Sequence, residues 1–276
     1  MSFAERALAF PCADARLVAV ISAPVRPSER GVLVVVGGPQ YRVGSHRQFT
    51  LLCRALAESG IAAMRFDYRG MGDSSGEGRN FEQVGDDLRA AVDAFLGAVP
   101  EMHDVVIWGL CDAASAALFY AHSDPRVSGV VLLNPWVRTV EGEAKAVLRH
   151  YYLQRLLSPG PWRKLLRGEF DLRGSLRSLA GNFRNATGAG AAAGTLPERM
   201  SDALARFDGK VLLILSGNDL TAQEFKGVVL GSTRWRGLLD SPRVTRRELP
   251  QANHTFSTRE WRDQVALWTA EWVRSW

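Results

Sequence analysis

The run Val105-Val106-Ile107-Trp108-Gly109-Leu110-Cys111-Asp112-Ala113 decides the fold. Val105 to Trp108 is apolar, β-branched and aromatic, which predicts a buried strand. Cys111 to Tyr120 is an Ala-rich stretch that predicts a helix. The chain must therefore pass from strand to helix through a very tight turn. Such a turn brings together the positions two before and two after its apex, and only small residues fit there. Gly109 and Ala113 are small, and Cys111 sits between them. This is the pattern of a nucleophile elbow, with Cys for the usual Ser and Ala for the usual second Gly. The helix N-terminus would favour a thiolate, and the Asp112 N–H would face a developing oxyanion. Free cysteine is also often a small buried hydrophobe, so the pentapeptide alone leaves both readings open.

Working outward, short apolar runs alternate with amphipathic stretches. Arg16–Ser22, Gly31–Val36, Ile61–Phe66 and Val127–Leu133 read as strands. Gly31–Val36 is almost all valine, as expected of a strand covered on both faces. Phe49, Leu52, Cys53 and Leu56 form the apolar stripe of one helix, and Phe81, Val84, Leu88, Val92 and Phe95 mark another. Strands return at Val211–Leu215 and Val244–Leu249, and a last helix buries Trp261, Val265, Trp268 and Trp272. Strand and helix in alternation predict an α/β fold, a mostly parallel sheet with helices on both faces. Residues 137–206 break the pattern, with helical periodicity, a Pro159-Gly160-Pro161 interruption and a small-residue connector, Gly188 to Gly194. Residues 1–136 and 207–276 are thus expected to form the core, and 137–206 a helical lid.

Composition narrows the class. A chain of 276 residues, 46% hydrophobic and 23% charged, suits a globular protein with a large core. The net charge of +5 comes from interspersed residues and does not call for nucleic acid. Cys12, Cys53 and Cys111 are odd in number and far apart, which argues for a reducing compartment. No signal-like apolar run follows the first charges, and no run approaches membrane-spanning length. A cytoplasmic protein is expected. His46, His103, His122, His150 and His254 show no ligand spacing, so neither a metal nor an organic cofactor is expected.

Two more residues fit beside Cys111. The strand Val211–Leu215 runs into Ser216-Gly217-Asn218-Asp219, and an Asp past a strand end could orient a histidine. Taken alone, Asp219 reads as a turn or helix-cap residue. His254 lies between the last strand and the last helix, where a general base belongs, although a lone loop histidine is usually just solvated. Nucleophile, acid and histidine in that chain order match a known catalytic arrangement. For the second oxyanion donor the loop Gly37-Gly38-Pro39-Gln40 offers the N–H of Gly38 first and of Gln40 second; Pro39 has none.

Gly37-Gly38-Pro39, the loop Asp67-Tyr68-Arg69-Gly70-Met71-Gly72-Asp73-Ser74-Ser75-Gly76, the Gly109–Ala113 elbow, Asp219 and His254 together resemble the α/β-hydrolase superfamily. The stretch from Gly37 to Phe49, the Cys elbow and Asn134-Pro135-Trp136 look more closely like the exosortase A system-associated hydrolase 1 group. That resemblance implies a bacterial protein encoded near exopolysaccharide and protein-sorting genes. Two departures stand out. Val36 occupies a position where many relatives have His, and Cys replaces Ser, as in dienelactone-hydrolase-like members.

The expected function is hydrolysis of an ester or thioester through an acyl-Cys111 intermediate, with His254 as base, Asp219 as its orienter, and Gly38, Asp112 and Gln40 around the oxyanion. An acyltransferase on the same scaffold, or a non-catalytic partner in an exopolysaccharide or protein-sorting system, are the alternatives. The expected partner is a small-molecule or carrier-linked acyl substrate. From Arg138 to Arg184 there are ten basic residues against four acidic ones. They read either as a solvated face of the lid or as a surface for an anionic substrate or a membrane.

Overall fold

A computed structural model describes residues 3–38, 40–137 and 194–276. The expected lid, with its basic residues from Arg138 to Arg184, lies outside the described residues except for its last segment. Among the described residues eight strands form one sheet: β1 (Phe3–Cys12), β2 (Ala15–Pro24), β3 (Arg30–Val35), β4 (Ala63–Asp67), β5 (Asp104–Leu110), β6 (Val127–Leu133), β7 (Lys210–Ser216) and β8 (Val244–Leu249). The helices are α1 (Gln48–Glu58), α2 (Gly85–Ala98), α3 (Asp112–Ala121), α4 (Leu196–Arg206), α5 (Leu220–Gly231), α6 (Thr233–Leu239) and α7 (Arg259–Val273).

The sheet order is β1-β2-β4-β3-β5-β6-β7-β8. From β4 to β8 every neighbouring pair is parallel; β1 and β2 add an antiparallel hairpin at one edge. The valines of β3 show why the parallel strands are continuously apolar. Val32 and Val34 join a core with Phe49, Leu52 and Leu56 of α1 and Val265, Ala266 and Trp272 of α7. Leu33 and Val35, pointing the other way, are equally buried. Edge strand β8 carries Arg246, Arg247 and Glu248, exposed charges that discourage pairing with another chain.

The order of strands creates the site. From β3 the chain crosses to β4 on one side and then to β5 on the other. The loops after β3 and β5 therefore part company at their C-terminal ends and leave a crevice, the usual ligand position in an open parallel sheet. The loop between β4 and α2 is tied down beside it. Buried Asp87 of α2 accepts from the Arg69 backbone N–H at 2.8 Å and from its guanidinium at 2.8 Å.

Three differences from the expected elements have physical causes. Strand β1 is exposed over most of its length and gains its order from ten paired positions with β2. Phe81 continues the apolar spacing of α2 but precedes it, because the helix starts at Gly85. The segment from Asp219 to Leu239 holds two helices, capped by the side chains of Asp219 and Ser232. Among the described residues no helix is long and apolar enough to cross a membrane.

Candidate active site

The turn at Cys111 is as sharp as its sequence requires. Cys111 has φ 64° and ψ −125°, a strained conformation for any residue with a side chain. A Cβ on Gly109 would stand 2.5 Å from the backbone C and O of Ala113, so only glycine allows strand and helix to pass that closely. Neighbouring segments pin the turn. The Cys111 N–H donates to Leu133 O at 2.9 Å, and the Trp136 N–H donates to Cys111 O at 3.2 Å. The Ser115 hydroxyl of α3 donates to Trp136 O at 2.7 Å.

Asp219 and His254 meet beside this turn. Asp219 is both of the things its position suggested. Its Oδ2 accepts from the Ala222 N–H at 3.0 Å as the N-cap of α5, while its Oδ1 lies 3.0 Å from His254 Nδ1. The cap holds the carboxylate still, and the carboxylate fixes the ring. His254 and Cys111 line the same cavity. The Asp219 bond first, then the Cys111 side chain, push the His254 pKa up to about 10 against the opposing effect of burial. Burial disfavours the Asp219 charge, but the hydrogen bond and positive charge of His254 outweigh it and hold this carboxyl below its ordinary range.

Asn134 buttresses both loops. It is fully buried at the end of β6 with φ 43°, a left-handed conformation that asparagine tolerates. Its amide donates to the Ser216 hydroxyl at 2.8 Å and to the His254 carbonyl at 3.2 Å, and its Oδ1 accepts from the Ser216 N–H at 2.9 Å. One side chain thus links the ends of β6 and β7 to the backbone of His254. Asn253 closes the same loop through Ser257, accepting from its N–H at 3.1 Å and donating to its hydroxyl at 2.7 Å.

Cys111 and His254 open on a cavity of about 300 Å³ with Gly37, Gly38, Gln40, Phe49, Phe81, Leu110, Asp112 and Trp136 around it. Its walls are mostly apolar, with few polar groups, as small-molecule sites tend to be. All six expected site residues except Asp219 line it, and Asp219 stands behind His254. The oxyanion donors are arranged differently from expectation. The Gln40 N–H donates to Gly38 O at 2.8 Å, so in this loop it is already used. The Gly38 N–H donates to Asp112 Oδ2 at 2.9 Å. Burial raises the Asp112 pKa, against the pull of the Gly38 and Ala113 N–H groups. Phe81 and Trp136 are site residues that sequence reasoning did not assign. Phe81 stacks on Phe119 of α3, with ring centroids 6.5 Å apart. Among the described residues no group of three or more His, Cys, Asp or Glu is placed to hold a metal ion.

The model of the Hydrolase_4 family, described as serine aminopeptidase, S33, matches residues 27–174, more than half of the chain. The chain belongs to that family. By fold and family it is an α/β-hydrolase, and it carries cysteine at the elbow where the family description names a serine enzyme. No curated protein sequence matches it significantly. Among solved structures the hydrolase is similar to the esterase Pf2001 of Pyrococcus furiosus, at 15% identity over 99% of this chain and 93% of that chain, with a TM-score of 0.69. It is similar to a dienelactone hydrolase from Anabaena variabilis, at 15% identity over 98% of this chain and 96% of that one, TM-score 0.60. An α/β serine hydrolase homologue from Coxiella burnetii matches at 14% identity over 96% of each chain, again with a TM-score of 0.60. These likenesses establish the fold.

Proposed function

We propose that this hydrolase cleaves an ester or thioester through an acyl-cysteine intermediate on Cys111. The observation that carries the proposal is the meeting of three groups at one cavity: Asp219 Oδ1 lies 3.0 Å from His254 Nδ1, and His254 shares a mostly apolar cavity with Cys111 at its strained elbow. A histidine held beside a carboxylate is the general base that a cysteine nucleophile needs, and Asp219 raises the His254 pKa. The sulfur attacks the acyl carbonyl, an S–C bond forms, and the carbonyl π pair moves to oxygen. As the tetrahedral centre collapses, the leaving group departs with the proton from His254. Water then attacks the acyl group, gives its proton to His254 and frees Cys111. The Asp112 N–H serves the oxyanion, joined by the Gly38 N–H once that group leaves the Asp112 carboxylate to which it donates at 2.9 Å. Each donor of this kind is worth about 3 kcal/mol of barrier.

The names of the structural neighbours, an esterase and a dienelactone hydrolase, agree with ester chemistry. Three free cysteines fit a reducing compartment, and we place the enzyme in the cytoplasm. Its resemblance to the exosortase A system-associated hydrolase 1 group, carried by the Gly37 to Phe49 stretch, the Cys elbow and Asn134-Pro135-Trp136, supports a role beside exopolysaccharide and protein sorting. The excess of basic residues from Arg138 to Arg184 supports an anionic substrate or carrier.

The test is incubation with activated esters of graded chain length, followed by mass mapping. An acyl group should be found on the Cys111 peptide, and Cys111→Ala should abolish turnover while leaving the circular dichroism spectrum unchanged. Turnover at the wild-type rate in that variant would overturn the assignment.

A further inference from the structure

The carboxylate of Asp112 stands where the proposed chemistry needs an empty place. The side chain turns back from the start of α3 over the loop after β3. Its Oδ2 accepts from the Gly38 N–H at 2.9 Å, and its Oδ1 accepts from the Ala113 N–H at 3.0 Å. The fit is close: a Cβ on residue 37 would lie 2.3 Å from Oδ1, so glycine at 37 is what leaves room for the carboxylate. The group faces the same cavity as Cys111 and His254.

The Gly38 N–H is also the donor that acyl transfer would direct at the carbonyl oxygen. A single N–H cannot serve two oxygens at full strength, and a carboxylate is a stronger acceptor than a neutral ester carbonyl. We propose that Asp112 is an internal competitor for the oxyanion pocket, which a substrate's carbonyl oxygen must expel before Cys111 can be acylated. This rests on Cys111 being the nucleophile. The residue therefore selects among electrophiles. A carbonyl that gathers strong negative charge on oxygen competes well for the Gly38 N–H, and a weakly polarised one competes poorly. An electrophile that reacts at a saturated carbon needs no oxyanion donor and escapes the selection altogether.

That last distinction supplies the experiment. Acylation of Cys111 by an activated neutral ester and alkylation of the same sulfur by iodoacetamide are timed by mass spectrometry in the wild type, Asp112→Ala and Asp112→Asn. Both substitutions keep the backbone N–H of residue 112. Any general change in sulfur reactivity moves both rates and cancels in their ratio. The ratio of acylation to alkylation should rise about tenfold or more in Asp112→Ala, a part of the roughly 10²- to 10³-fold that a single oxyanion donor can supply. In Asp112→Asn, whose amide oxygen is an uncharged acceptor, it should rise by less. An unchanged or lower ratio in folded protein overturns the role of Asp112 and leaves Cys111 standing. If Asp112→Ala does not fold, the Asn variant decides alone, a rise supporting the competitor and no rise overturning it. Absence of both adducts from wild-type Cys111 would instead overturn the nucleophile, and the role of Asp112 with it.

Discussion

At the scale of single residues, Asp219 carries two jobs with two oxygens. One oxygen caps α5 through the Ala222 N–H, and the other faces His254 Nδ1. The jobs separate under Asp219→Asn. Asparagine caps a helix as well as aspartate does, so the melting temperature should fall only by what the charge pair with His254 contributes, with no further loss from the cap. The amide has no charge with which to hold an imidazolium and can favour the wrong ring tautomer. Turnover of an activated ester should then fall by about 10³-fold or more. A variant with nearly full kcat would remove Asp219 from the mechanism. This double use also explains why the sequence left its role open: a cap residue and a catalytic acid look alike until the partner of the second oxygen is known.

At the scale of elements, Asn134 joins the end of β6 to the end of β7 and to the loop before α7. Asn134→Ala strips the buried Ser216 N–H of its acceptor and the His254 carbonyl of a donor. Leaving a buried polar group unpaired costs about 1–3 kcal/mol, so the unfolding free energy should fall by that much and the denaturant midpoint should move lower. Because the same bond holds the His254 backbone, kcat should fall further than the loss of folded protein explains. A drop in stability with unaltered kcat in the remaining folded protein would confine Asn134 to structure. The elements themselves were largely legible where both faces are buried. The valines of β3 and the apolar stripe of α1 announce strand and helix because burial enforces the period. Strand β1 was not legible, since an exposed edge strand has little burial to pattern it and owes its form to pairing across the hairpin. Phe81 was misassigned to α2 because its apolar spacing serves the cavity wall, not the helix face.

At the scale of the whole molecule, stability should follow the ionisation of the Asp219–His254 pair. The pKa of His254 is raised in the folded protein, so its stabilising contribution is fully present below its ordinary value of 6.5 and fades as pH climbs through about 10. That of Asp219 is lowered, so its contribution is present above its ordinary 3.8 and is lost as pH falls through the folded value. The melting-temperature advantage of wild type over His254→Ala should therefore be greatest between these limits and shrink towards pH 10. An advantage independent of pH would show that the two groups do not interact as charges. The meeting of Cys111, Asp219 and His254 was readable from their order along the chain because the fold fixes which strand ends meet. The capture of the Gly38 N–H by Asp112 was not, because it depends on one side chain folding back across a loop that lies far away in sequence.

The same topology has a consequence for how the protein is made. The elbow belongs to the middle of the polypeptide, whereas Asp219, His254 and α7 come late. The ribosome thus delivers the sulfhydryl well before the imidazole proposed to arm it. Until α7 emerges, the core around Phe49 and Leu52 also lacks Val265, Ala266 and Trp272. A nascent chain stalled short of residue 254 would carry the thiol without its proposed partner.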